Sequence, residues 1–253
     1  MKQIFVLGGI VEARQLCERL CGAFAVTLSV ATAYGAELAA DGGFRVLCGK
    51  RDAAGFTELF RKERTDLAVD CSHPFAEAAS REFAAACKAA EVPLFCYRRE
   101  ETLCGDDVVK VYSFTEAAEA AKRLSQGKTV FFAAGVNHLP ELLQVLPAEQ
   151  VAVRALDRPE SLERLKSLGI PEENVVAKQG PFSEEENAAD FAGHHTGVLI
   201  TKDSGIAGGT TQKLKAAKRL GIPAVMVSPP PSVGGQVFRS IETLYREIAA
   251  YFC

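Results

Sequence analysis

Short apolar runs alternate along the chain with longer stretches in which apolar residues recur at every third or fourth position. In the first hundred residues the runs are QIFVLGG, AVTLSVAT, FRVLCG, LAVDCSH and PLFCYRR. Amphipathic stretches separate most of them: Glu12–Leu20, Ala53–Arg64 and Ala76–Ala90. The runs predict strands and the stretches predict helices. Apolar strands that alternate with amphipathic helices indicate a parallel sheet covered on both faces. A second series follows the same plan. TVFFAAG, VAVRAL, NVVAKQG, GVLITKD and AVMVSPP predict strands, with PELLQVL, PESLERLKSLG, SEEENAADFAG and TTQKLKAAKRLG as the intervening helices. Pro159 and Ser183 suit helix starts, and Gly169 and Gly221 suit helix ends. SIETLYREIAAYFC predicts a closing helix.

Ten such strands exceed one ordinary open sheet. The polar, turn-rich segment EETLCGDD, Glu100–Asp107, is the best boundary. The expectation is an α/β fold of two domains, residues 1–103 and 104–253, with parallel sheets flanked by helices and a cleft between them. The architecture repeats between the halves; the sequence does not.

Composition narrows the function. The chain has 253 residues and a formal net charge of −3, which argues against a nucleic-acid partner. No apolar stretch is long enough for a secretory signal core or a membrane span, so a cytoplasmic, non-membrane protein is expected. The eight cysteines form no CxxC pair and no cluster of zinc spacing, so they are expected to be reduced, with no metal site.

Four stretches carry candidate chemistry. VLGGIVEAR is a strand, a glycine turn and a helix start, the arrangement that places backbone N–H groups before a phosphate. Gly8, Gly9, Glu12 and Ala13 fit it, whereas Ile10 stands where the fingerprint G-x-G-x-x-G/A has its second glycine. A tight turn with no ligand is the plain alternative. Gly9→Asp is expected to block a coenzyme with little loss of folding, the turn being exposed. LSVATAYG ends the second strand with Ser29, Thr32 and Tyr34 and no acid, which tilts a nucleotide site towards NADPH over NADH. DCSHPFAE offers Asp70, Ser72 and His73 at a strand end. His73 is a candidate acid or a cleft-lining residue. TKDSGIAGGTTQKLK, from Thr201, again runs from strand to glycine turn to helix, now with Lys202, Asp203, Ser204, Gly205, Lys213 and Lys215. This suits a carboxylate or phosphate; Thr210 as a helix cap beside solvated lysines is the alternative. QGKTV lacks the first glycine of a P-loop. No tyrosine has a lysine four residues on, and no serine nucleophile elbow occurs.

Five segments in order, VLGGIVEAR, SVATAYG, DCSHPFAE, KQGPFSEEEN and TKDSGIAGG, resemble the precorrin-6A and cobalt-precorrin-6A reductases of cobalamin biosynthesis over essentially the whole chain. Two departures stand out: Ile10 for the family's usual threonine, and Ile206 for a glycine. The resemblance implies two Rossmann-like domains with an active-site cleft between them, and hydride transfer from NADPH or NADH to a ring double bond of a corrin-precursor macrocycle, with a proton added at the neighbouring carbon. Coenzyme ligands are then expected among Gly8, Gly9, Ile10, Glu12, Ala13, Thr32, Tyr34, Ser72 and His73. The carboxylate fringe of the macrocycle calls for cations, so Arg154, Lys178 and Lys202, with Ser204 and Gly205, are the expected substrate ligands; Arg158 lies close by in sequence. Lys202, Asp203, His73 or solvent would supply the proton. Neighbouring enzymes of the pathway are candidate partners. The competing readings are a non-redox nucleotide or tetrapyrrole carrier, motivated by Ile10, and a different transferase on the same scaffold.

Overall fold

The computed structural model describes residues 1–105, 107–205 and 208–253. The elements run β1 (Gln3–Gly8), α1 (Val11–Leu20), β2 (Ala25–Val30), α2 (Ala33–Ala39), β3 (Arg45–Cys48), α3 (Ala53–Glu63), β4 (Leu67–Cys71), α4 (Glu77–Ala90), β5 (Leu94–Tyr97) and β6 (Val108–Val111). They continue through α5 (Phe114–Ser125), β7 (Thr129–Ala133), α6 (Leu139–Leu143), β8 (Val151–Ala155), α7 (Pro159–Ser167), β9 (Val175–Ala177) and α8 (Glu184–Gly193). β10 (Thr196–Lys202), α9 (Thr210–Arg219), β11 (Ala224–Val227), β12 (Gln236–Phe238) and α10 (Ile241–Tyr251) complete the chain.

Two compact units result, residues 1–100 with 230–253, and residues 101–229. Each holds a six-stranded sheet, ordered β12-β5-β4-β1-β2-β3 in the first and β6-β11-β10-β7-β8-β9 in the second. Every strand pair in both is parallel. The α/β class and the parallel, helix-flanked sheets follow the sequence expectation. The linear division at residue 103 differs from the structure at the C-terminus. Gln236–Phe238 pairs with Phe95–Tyr97, so the last strand and helix complete the first sheet and not the second.

In the first unit, β1 shows why its run is apolar throughout. Successive side chains of a strand point to opposite faces. Ile4 and Val6 join Leu16, Leu20, Leu244 and Ile248 on one face. Phe5 and Leu7 join Phe56, Phe60 and Phe83 on the other. The Phe5 ring meets that of Phe60 edge-on at 5.1 Å, and Phe56 meets Phe83 edge-on at 5.1 Å. Burying each such ring stabilises the unit by about 1.5–3 kcal/mol. In the second unit Phe131, Ala152, Phe191, Leu199 and Ala216 form the corresponding layer.

The order of strands reverses between β1 and β4 in the first sheet and between β7 and β10 in the second. Ligands of open α/β sheets bind at the carboxyl ends of strands flanking such a reversal. The two points sit beside Gly8–Gly9 and Thr201–Gly205, two of the stretches singled out above.

Candidate active site

In the first unit, β1 delivers Gly8 and Gly9 to its carboxyl end, and α1 begins two residues later. Ile10 is the N-cap residue, with φ −137° and ψ 162°. That is extended backbone, open to a β-branched residue, so the turn needs no glycine there. Its side chain packs on the adjoining core. No side chain caps α1, which leaves the first N–H groups of a ten-residue helix to an anion. Gly9 is the position that must be glycine. A Cβ there would lie 2.8 Å from the backbone N of His73 and 3.3 Å from Cα of Ser72. The turns after β1 and β4 therefore touch backbone to backbone. The earlier expectation that Gly9→Asp would spare folding is corrected by this contact.

Buried ion pairs fix both turns. Asp70 accepts hydrogen bonds from Ser72 N (2.9 Å), the Ser80 hydroxyl (2.8 Å) and Arg98 Nη2 (2.6 Å). Burial alone would raise the Asp70 carboxyl, but Arg98 and the hydrogen bonds outweigh it and hold it below the usual range. His73 accepts from Phe75 N through Nδ1, 3.2 Å away. Glu12, expected to face the coenzyme, gives both carboxylate oxygens to Arg99 at 2.7 Å each. It anchors the first turn of α1 to the end of β5. Ala13 is buried, its methyl small enough to seat α1 on the sheet. Thr32 caps α2 by accepting from Gly35 N (3.1 Å), which leaves its hydroxyl proton to donate. Tyr34 lies partly buried in the same helix. Ser29 accepts from Arg51 at 3.2 Å, an arginine that sequence reasoning passed over.

In the second unit Arg154 stands on β8, Lys178 follows β9 and Lys202 ends β10, and Asp190 joins the first two. Arg154 is buried, donating to Asn187 Oδ1 (2.6 Å) and Asp190 Oδ2 (2.8 Å) under the ring of Phe182. Lys178 donates to the other Asp190 oxygen at 2.6 Å. Asp203, a candidate acid, instead accepts from Thr102 N (2.9 Å), Thr102 Oγ1 (2.6 Å) and Gly205 N (3.1 Å). With three donors on one buried carboxylate, Asp203 is the organiser of this loop. Thr210 does not cap α9, whose N-cap is Gly209. Its hydroxyl accepts from Ser204 N and donates to Lys202 O, closing the loop from within. Ile206 lies outside the described residues. Asn187 and Asp190, three apart on one face of α8, were the legible signal of a buried cation's partners, and sequence reasoning did not use it.

Two lysines of this region are depressed by burial: Lys202 to about 8 and Lys213 to about 7. The unfolded chain binds their protons up to the ordinary lysine range, so stability rises with pH from about 7 upwards. Between pH 7 and 8.5, a Lys213→Met variant should gain less stability than the wild type in urea titrations. Equal gains in both would place Lys213 in water.

All eight cysteines are free thiols, and Cys17, Cys71, Cys87 and Cys96 are buried. Among the described residues no group of three or more His, Cys, Asp or Glu side chains could hold a metal, and no helix is long and apolar enough to cross a membrane.

Two parallel, helix-flanked sheets, each with a strand-order reversal beside one of these turns, make this a two-unit protein of the doubly wound α/β class. The chain belongs to the precorrin-6x reductase CbiJ/CobK family, whose pattern it matches over residues 3–249. It is 36% identical over 247 residues to the cobalt-precorrin-6A reductase of Methanothermobacter thermautotrophicus, spanning 95% of this chain and 82% of that protein. It is 35% identical over 237 residues to the cobalt-precorrin-6A reductase of Salmonella typhimurium, spanning 92% and 89%. The solved structure of CobK precorrin-6A reductase shares the fold, with a TM-score of 0.81, 24% identity and coverage of 99% and 97% of the two chains.

Proposed function

We propose that the protein reduces a ring double bond of cobalt-precorrin-6A to give cobalt-precorrin-6B, with NADPH as the preferred coenzyme. Family membership over residues 3–249 carries the reaction class, and the names of the two relatives favour the cobalt-containing substrate. The reduced nicotinamide supplies the hydride. The chain's own residues bind and orient. Gly9, Ile10 and the first N–H groups of α1 suit the coenzyme pyrophosphate, where a backbone approach and a helix dipole act together. Thr32, Ser29 and the nearby Arg51 suit a 2′-phosphate, and no acid on β2 would repel it. Ser72 and His73, against Gly9, complete that side of the crevice.

Lys202 and Ser204 suit the substrate's carboxylates. Arg154 and Lys178 act there through their shared Asp190, which spends part of their charge. Among the proton candidates Asp203 is fully engaged as an acceptor, which favours Lys202, His73 or water. The carrier reading drew on Ile10, and the extended φ at that residue removes its motive. The same reading places the protein in the cytoplasm, with neighbouring pathway enzymes as candidate partners.

The test is an anaerobic assay with NADPH and NADH against precorrin-6A with and without cobalt. Oxidation of NADPH, fastest with the cobalt macrocycle and slower with NADH, is expected. No coenzyme oxidation with either substrate would overturn the proposal.

A further inference from the structure

We propose that Gly135, just beyond the carboxyl end of β7, is a positioning residue that keeps open the place beside Lys202 where one carboxylate of the macrocycle binds. The proposal rests on the reading of the function given above. β7 and β10 are the neighbours between which the second sheet reverses its strand order. Thr201 pairs with Ala133, the last residue of β7, so the Lys202 side chain starts at the rim of the sheet. Its backbone is held on both sides. The Thr210 hydroxyl donates to Lys202 O at 3.3 Å, and Asp203 N donates to Val227 O at 2.8 Å. From there the ammonium reaches across to the turn that follows β7. A Cβ on Gly135 would lie 4.0 Å from Lys202 Nζ. Among the described residues, its chain neighbours apart, no other atom lies within 4 Å of that point.

The backbone singles out the same residue independently. Gly135 precedes a short 3-10 turn, Val136–His138, with φ 85° and ψ 159°. That region is open to glycine and essentially closed to every other residue. The chain thus carries the residue without a side chain at the point where the lysine arrives, which is how a backbone admits a ligand closely. A methyl group there would stand against the ammonium and exclude an oxygen from that side, where a charged hydrogen bond needs about 2.7–2.9 Å. Burial lowers the Lys202 ammonium to about 8. An anion laid beside it restores its charge, and the pairing is stronger there than in water. The acidic fringe of the macrocycle supplies that anion.

The probe is uroporphyrin, a polycarboxylate macrocycle that the coenzyme does not reduce, titrated into the full chain by fluorescence. Gly135→Ala should weaken its binding about 10- to 100-fold, the loss of one charge-assisted contact, with the dissociation constant for NADPH unchanged. Gly127→Ala also strains a positive φ, 81°, but it precedes the amino end of the same strand, where a Cβ would meet nothing within 4 Å. It should bind uroporphyrin as the wild type does. Lys202→Arg leaves the Gly135 backbone untouched and fills the space from the other side, so it should lose affinity while keeping the charge. In a Lys202→Met background, Gly135→Ala should add no further loss, because the two act at one contact. Equal affinity in the wild type and Gly135→Ala would overturn the proposal and leave the reductase reading standing. Full affinity in Lys202→Arg, an equal loss in Gly127→Ala, or losses that add in the double variant would do the same. Weaker NADPH binding in Gly135→Ala would overturn it too, by assigning the place to a phosphate. A wild type that binds NADPH but no polycarboxylate macrocycle would count against both.

Discussion

Replacing Asp190 by alanine is expected to lower the unfolding free energy by about 3–5 kcal/mol, the cost of leaving a buried charge without its partner. The Arg154 and Asp190 side chains are only 6% and 8% exposed, so water cannot take over the lost contact. Lys178, 52% exposed, can turn to solvent and adds little. The loss therefore belongs to Arg154, whose Nη2 would face the aromatic layer of Phe131, Phe182 and Phe191 unpaired. Pairing Asp190→Leu with Arg154→Met should recover most of the stability, because apolar replacements of similar volume avoid the desolvation cost altogether. Urea titration of the two variants beside the wild type reads this directly. A loss below about 1 kcal/mol for Asp190→Ala would mean the pair behaves as a surface one. The double variant should still lose macrocycle affinity, since it removes one of the cations offered to the substrate's carboxylates.

Gly9→Asp is expected to weaken NADPH binding on the order of 100-fold or more, by placing a like charge where the pyrophosphate approaches. It should also cost about 1–3 kcal/mol of stability, because the new Cβ meets the backbone beside His73. Gly9→Ala separates the two effects. It carries the steric cost without the charge, so its stability should fall as far while its coenzyme affinity falls less. Fluorescence titration with NADPH and urea titration together give both quantities. Unchanged affinity in Gly9→Asp would remove the turn after β1 from the coenzyme site.

These two positions also show what the sequence could and could not convey. The turn at Gly8–Gly9 was legible because a continuous apolar run, two glycines and an amphipathic helix follow in a few residues. So were the helix starts at Pro159 and Ser183, which the structure places at the first turn of α7 and in a capping box on α8. The return of β12 to the first sheet was not legible. That strand has three residues, two of them exposed, and offers no run to recognise. β6 is a sheet edge with Val109 and Lys110 exposed, and the buried face of α5 is largely alanine, a weak apolar signal. The partners of the candidate site residues were hidden for another reason. Glu12 meets Arg99 across 87 positions and Asp203 meets Thr102 across 101, so each pairing exists only once the sheets have formed. Sequence reading named both carboxylates as site candidates and could not see that their oxygens were already engaged.

The central claim is that this chain transfers a hydride from a reduced nicotinamide to a corrin precursor. It is tested most directly by anaerobic turnover of cobalt-precorrin-6A with NADPH deuterated at the transferred position, followed by mass spectrometry of the macrocycle. The expected product has gained two hydrogens, one of them deuterium from the coenzyme and the other from solvent. A macrocycle recovered unchanged, or reduced without deuterium, would contradict it.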